Sequence, residues 1–164
     1  RIAMGRREVQ RAAALLEECQ ALARQLGSPT DEANILMTLA SLFNMMHAPE
    51  RGLACVRQSL QVYIGLGVRY GVASCLTILA RSEVDVGHPE RAARLLGAAE
   101  AELTAIGGKR APAMVAMSEG VTRRLQSALG EPLCDRLVAE GAATPVHVIV
   151  DEALAEAEAE NEGA

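Results

Sequence analysis

Gly87-His-Pro-Glu-Arg-Ala-Ala-Arg-Leu-Leu-Gly-Ala-Ala-Glu100 is the stretch that decides the fold, because its punctuation also stands forty residues earlier, as His47-Ala-Pro-Glu-Arg-Gly-Leu-Ala-Cys55. Pro49 and Pro89, Glu50 and Glu90, and Arg51 and Arg91 coincide, and Gly27, Gly67 and Gly107 recur at the same interval, each just past an apolar stretch. Self-similarity at a fixed period of this size is the signature of stacked supersecondary units, each too small to bury its apolar face alone.

Working outward, residues 8–26 carry Ala12, Leu15, Leu16, Cys19, Leu22, Ala23 and Leu26 at i, i+3, i+4 spacing, which predicts an amphipathic helix stopped by Gly27. Gly27-Ser28-Pro29-Thr30-Asp31 reads as a stop, a turn and a choice of Thr30 or Asp31 as the next N-cap. A second helix then runs to about Met46 with Ala33, Leu36, Leu39, Ala40 and Phe43 inward, and Pro49 opens a third that ends near Leu66. The next forty residues repeat the plan. Ala73, Leu76, Leu79 and Ala80 match the first stripe, and a helix over Pro89–Ile106 turns Ala92, Leu95, Leu96, Ala99 and Leu103 inward.

Aligned at that period, Ala12, Leu16 and Cys19 fall on Gly52, Val56 and Ser59 and on Ala92, Leu96 and Ala99. Residues 8–26 therefore read as the second helix of a half repeat whose first helix is missing, followed by repeats 27–66 and 67–106. Small residues at 12, 52 and 92 allow close helix approach, and larger ones at 16, 56 and 96 fill the gap one turn on. The domain plan is a repeat region 1–107, capping helices over 108–154 and an acidic linker or tail over 155–164. Within the capping region, helices are expected over 112–129 (Met114, Val115, Met117, Val121, Leu125), over 132–140, and from a Thr144-Pro145 cap through Val148, Ile149, Ala153 and Leu154. The fold class is all-α: about seven to eight helices stacked as hairpins into an α-solenoid.

Composition narrows function by exclusion. Half of the residues are hydrophobic, yet Phe43, Tyr63 and Tyr70 are the only aromatics, so the core is built of Leu, Ala, Val, Ile and Met, which suits closely approaching helices better than sheets. A net charge of −5 argues against direct nucleic-acid contact by this segment, which requires a clustered cationic face. Cys19, Cys55, Cys75 and Cys134 form no C-x-x-C pair and read as small hydrophobes of a reducing cytoplasm. No apolar run is long enough to span a membrane, so no membrane association is expected. The start at Arg1, in mid-pattern and without an initiator Met, reads as that of a part cut from a longer protein.

The repeat positions resemble the tetratricopeptide repeat. In that pattern a large residue, Leu, a small residue and an aromatic mark the first helix of each hairpin, and small, large and small residues mark the second; Leu36, Leu39, Ala40, Phe43, Gly52, Val56 and Ser59 fit it, as do Leu76, Leu79, Ala80, Ala92, Leu96 and Ala99. Glu83 departs by replacing the aromatic, and the period is 40 rather than 34. The run Glu90 to Leu103, the helix ending Leu125-Gln-Ser-Ala-Leu-Gly130, Ala139-Glu-Gly141 and Thr144-Pro to Val150-Asp-Glu-Ala-Leu154 further resemble the C-terminal repeat region of large bacterial signal-transduction ATPases, including LuxR-type transcription regulators. The resemblance implies a helical repeat module for protein–protein interaction or effector sensing in transcription regulation and signal transduction. It equally allows a structural spacer or regulatory tail of an adenylate-cyclase or ATPase signalling protein. No nucleotide or DNA site carries over.

No catalytic constellation stands out. His47, His88 and His147 lack metal-ligand spacing, Ser82, Ser118 and Ser127 lack a nucleophile setting, and Gly65-Leu-Gly67 ends a helix instead of following a strand. No enzyme activity, cofactor or metal is expected. In the tetratricopeptide register, the first-helix residues lining the concave wall are Asn34, Met37, Ser41, Asn44 and Met45 in one repeat and Ser74, Thr77, Arg81, Val84 and Asp85 in the next. Mixed polar groups with adaptable Met side chains suit a protein partner or small effector, and Arg81 is the expected carboxylate anchor. An array opened ahead of residue 8 exposes an apolar helix face, from which self-association is expected.

Overall fold

Proline at the first helical turn and a left-handed residue after the last turn set most of the element boundaries. The structure, a computed structural model, describes residues 2–107 and 109–162, with side chains over 7–107 and 109–155. Among these residues it is all-helical, without strands: α1 (Ile2–Gln25), α2 (Pro29–Met45), α3 (Pro49–Leu66), α4 (Arg69–Asp85), α5 (Pro89–Ala105), α6 (Pro112–Leu129), α7 (Glu131–Ala143) and α8 (Val146–Glu162). Pro29, Pro49, Pro89 and Pro112 each open a helix, where the missing N–H is no loss. In the turns Gly87 has φ 90° and its counterpart His47 has φ 57°, the one described non-glycine residue held left-handed.

Two caps differ from expectation. The N-cap of α2 is Ser28, ahead of Thr30 and Asp31, because Pro29 already has the helical φ; the Ser28 hydroxyl donates to Asp31 Oδ2 at 2.6 Å. Thr144 ends α7 instead of capping α8: its hydroxyl donates back to the Glu140 carbonyl at 2.8 Å, and the Pro145 carbonyl accepts from Val148 N at 2.9 Å. The backbone of α8 stays helical through Glu162, where a fraying end was expected from 155 onward. Side chains beyond Ala155, the tail residues 163–164 and Gly108 of the expected break lie outside the description.

α2 pairs with α3 and α4 with α5, and α4 also packs against α3, so the two hairpins share one core. The expected stripes of α2, α4 and α5 are its substance: Ala33, Leu36, Leu39, Ala40 and Phe43, Ala73, Leu76, Leu79 and Ala80, and Ala92, Leu95, Leu96, Ala99 and Leu103 are all buried. α1 behaves differently. Ala13 and Ala23 are buried in it, Leu16 packs against the Leu39–Phe43 cluster, and Leu15, Cys19, Leu22 and Leu26 are exposed.

The C-terminal helices are locked on by backbone contact. α7 packs along α5 and α6 lies against α4 and α5. At the α5–α7 crossing a Cβ on Gly97 would collide with the Val138 carbonyl, and one on Gly141 would collide with the Arg94 carbonyl. Both glycines therefore exist for approach, not for turning. Gly97→Ala is expected to destabilise by more than about 3 kcal/mol, since rigid backbone must move. Gly120→Ala on α6, where the nearest atom is the end of the Arg123 side chain at 3.9 Å, is expected to stabilise by about 0.5–1 kcal/mol. Urea denaturation of the two variants checks the contrast.

Phe43 and Glu83 occupy the same place in successive repeats, and so do Arg51 and Arg91. In the first, the Arg51 guanidinium sits over the Phe43 ring, 4.0 Å from its centroid. In the second the aromatic is replaced by a carboxylate 1% exposed, which Arg57 meets at 3.4 Å, His88 Nδ1 at 2.9 Å and Arg91 Nε at 3.7 Å. The arginine of the Pro-Glu-Arg turn thus covers whichever group the first helix presents. Removing the carboxylate strands the charge that faces it, so Glu83→Ala is expected to cost about 3–5 kcal/mol, measurable as a shift in the urea midpoint at unchanged slope.

Candidate functional site

The residues expected on the inner wall separate into three groups. Ser74 and Thr77 are each 3% exposed and donate their hydroxyls to the Tyr70 carbonyl (2.9 Å) and the Ala73 carbonyl (3.2 Å). They are enclosed because α4 is buried along its length from Gly71 to Ala80 between α2, α3, α5 and α6. Asn34, Met37, Ser41 and Met45 remain on α2: Asn34 is exposed and its Oδ1 accepts from the Tyr63 hydroxyl at 2.6 Å, Ser41 donates to the Met37 carbonyl, Met37 packs against the core, and Met45 is exposed. Val84 packs against the core as well.

The third group comes together. Asn44, Arg81 and Asp85 line one cleft of about 690 Å³ with His47, Pro49, Glu50 and Arg124. The end of α2, the turn after it and the first turn of α3 supply one wall and α4 the other; α6 adds Arg124. Asp85 is the pivot: Arg81 Nε, one turn earlier on the same helix, lies 3.0 Å from its Oδ2, and Arg124 Nη1 pairs with its Oδ1. Asn44 is held at the base, where its Nδ2 donates to Ser82 Oγ at 2.9 Å. Two guanidinium groups thus converge on one carboxylate at a partly solvated surface, and guanidinium forks match carboxylate geometry. Arg81 and Arg124 balance Asp85 and Glu50 in charge, so an incoming anion would have to displace Asp85 from the arginines.

Arg124, His47, Pro49 and Glu50 are the cleft residues that sequence reasoning missed. The Arg123-Arg124 pair reads as a solvated face and His47 as a surface turn. Arg124 reaches Asp85 across 39 residues only because α6 folds back on α4, and no periodicity carries that information.

Elsewhere the chemistry is subdued. Among the described residues no group of three or more His, Cys, Asp or Glu is placed to hold a metal ion, and no helix is long and apolar enough to cross a membrane. Cys75 is enclosed against Ser59 Oγ at 3.3 Å, and burial pushes its thiol up to about 12. Burial, then the neighbouring Asp135, raises Cys134, and burial raises Cys55. Searches of family models, of curated proteins and of solved structures find no match to this chain.

The thiols yield a graded test. At pH 8 iodoacetamide is expected to modify exposed Cys19 first, while Cys75 and Cys134 are alkylated only on unfolding, as read by mass spectrometry of digested peptides. The sign of the linked pH effect is set: the folded pKa of Cys75 lies above its ordinary 9.0, so its contribution to stability is full below that value. It declines as pH rises toward 12, because the unfolded chain loses the proton first.

Proposed function

We propose that this chain is a non-enzymatic helical repeat module whose Asn44–Arg81–Asp85–Arg124 cleft takes a carboxylate-bearing ligand: an acidic stretch of a partner protein or a small acidic effector. The observation that carries the reading is the convergence of Arg81 and Arg124, from two helices, on one displaceable carboxylate at the edge of a cleft of about 690 Å³. The motif order from Glu90 to Leu154 supports placing the module in the cytoplasm, in the C-terminal region of a bacterial LuxR-type regulator or related signalling ATPase.

A second reading, a structural spacer without a ligand, is favoured by the same Asp85, which already satisfies both arginines, and by the enclosure of Ser74 and Thr77. Binding separates the two. Fluorescence polarisation against a panel of acidic peptides is expected to show saturable binding that Arg81→Ala weakens at least about tenfold, the effect of losing one charge-assisted contact. The thermal midpoint should move little, since the pair is a partly solvated i,i+4 one and Asp85 keeps Arg124 when Arg81 is removed. Absence of binding by the unaltered chain across the panel selects the spacer.

A further inference from the structure

The C-terminal end of α3, the first turns of α4 and α8 and the last turns of α5 meet around a cavity of about 260 Å³ that shares no residue with the Arg81–Arg124 cleft. Its floor is apolar and fixed by packing: Tyr63, Val72 and Val150 are buried there, and Ile64 and Val146 form the lip. The Tyr63 hydroxyl is already used, donating to Asn34 Oδ1 at 2.6 Å, and its ring lies so close to α4 that a Cβ on Gly71 would collide with it. The volume equals roughly nine water molecules in the liquid, the size of one aromatic ring with a short chain. An apolar pocket with a few polar groups at its edge is the usual form of a small-molecule site.

The charges at the edge decide what the cavity takes. Arg69 Nε donates to Glu102 Oε1, and that carboxylate is 11% exposed, so the two neutralise each other. Asp151, on the second turn of α8, is exposed, and among the described residues its carboxylate has no ion-pair or hydrogen-bond partner. His147, one turn earlier, is the remaining titratable group of the edge, and at pH 8 an ordinary imidazole is uncharged. The lining therefore carries one uncompensated negative charge beside an apolar floor. We propose that this cavity binds a small primary amine with an apolar body, an aryl- or branched alkylamine, its hydrocarbon between Tyr63, Val72 and Val150 and its ammonium at Asp151. A carboxylate in the same place would face Asp151 and Glu102, and a neutral ligand would leave Asp151 without a counter-charge. The inference does not rest on the cleft: it concerns a ligand of opposite charge at other residues.

Phenethylamine, 2-phenylethanol and 3-phenylpropionate carry the same ring and ethylene chain and differ in the charge of the head, so they separate the possibilities. Each is titrated at pH 8 into the complete 164-residue chain, labelled for methyl NMR, with circular dichroism to confirm the fold of every variant. Phenethylamine is expected to bind saturably with a Kd on the order of 1 mM, as suits so small a ligand, and to shift the methyl resonances of Val72 and Val150. The alcohol should bind at least about threefold more weakly, the effect of one partly solvated ion pair, and the carboxylate more weakly still. Asp151→Asn is expected to bring the amine to the level of the alcohol, and Asp151→Lys to reverse the order of amine and carboxylate; both positions of change are exposed and spare the core. No saturable shift at Val72 and Val150, three ligands that bind alike, or an order unmoved by Asp151→Lys overturns the proposal. Arg81→Ala, which disables the cleft, should leave the amine titration unchanged.

Discussion

The backbone approach of α5 and α7 at Gly97 and Gly141 is the constraint on which the C-terminal half of the structure depends. Each glycine faces a carbonyl of the opposite helix, so the two axes come closer than any side chain permits. That approach fixes where α7 lies, and α6, tethered to α7 by the single residue Gly130, is thereby laid across α4 and α5. α4 becomes the most enclosed helix among the described residues, and Val121 and Leu125 of α6 reach the same core as Leu76 and Leu96. The small-residue crossing therefore decides both how the array ends and which polar residues of α4 keep access to solvent.

Within the repeats, equivalent positions hold geometry constant while chemistry changes. Arg51 on Phe43 and Arg91 near Glu83 show one arginine serving as a lid over an aromatic ring and over a buried carboxylate. Gly52 is small because Asn44 occupies the space its Cβ would need, and Asn44 in turn bonds Ser82 to tie the first hairpin to the second. A hydrogen bond between two buried side chains of neighbouring repeats specifies their register more narrowly than apolar packing does, since a slip would leave both groups unpaired. Ser59 and Ala99, at the same place in successive repeats, are both small and fully enclosed, as the approach of a neighbouring helix demands.

The charges divide by burial. Glu83 is enclosed and its cationic neighbours compensate it, a structural arrangement whose disruption would be costly. Asp85, two residues on, lies in a cleft with Arg81 and Arg124, its side chain 18% exposed against 2% for Glu83. The carboxylate is thus enclosed at one place and partly solvated at the other, and the pairing is weaker where water reaches it.

Most of the architecture was legible in the sequence. The forty-residue repeat, the apolar stripes of α2, α4 and α5, and the proline and glycine punctuation follow from local rules: 3.6-residue periodicity, the fixed φ of proline and the tolerance of glycine for left-handed turns. The site was only partly legible. Asn44, Arg81 and Asp85 lie on one register of the repeat, but Arg124, which completes the cleft, comes from a helix outside it, and Ser74 and Thr77 satisfy the same pattern while lying enclosed. The exposure of Leu15, Cys19 and Leu22 could not be read from a stripe identical in kind to the buried ones. Periodicity determines that a face is apolar; only the arrangement of helices distant in sequence decides what covers it.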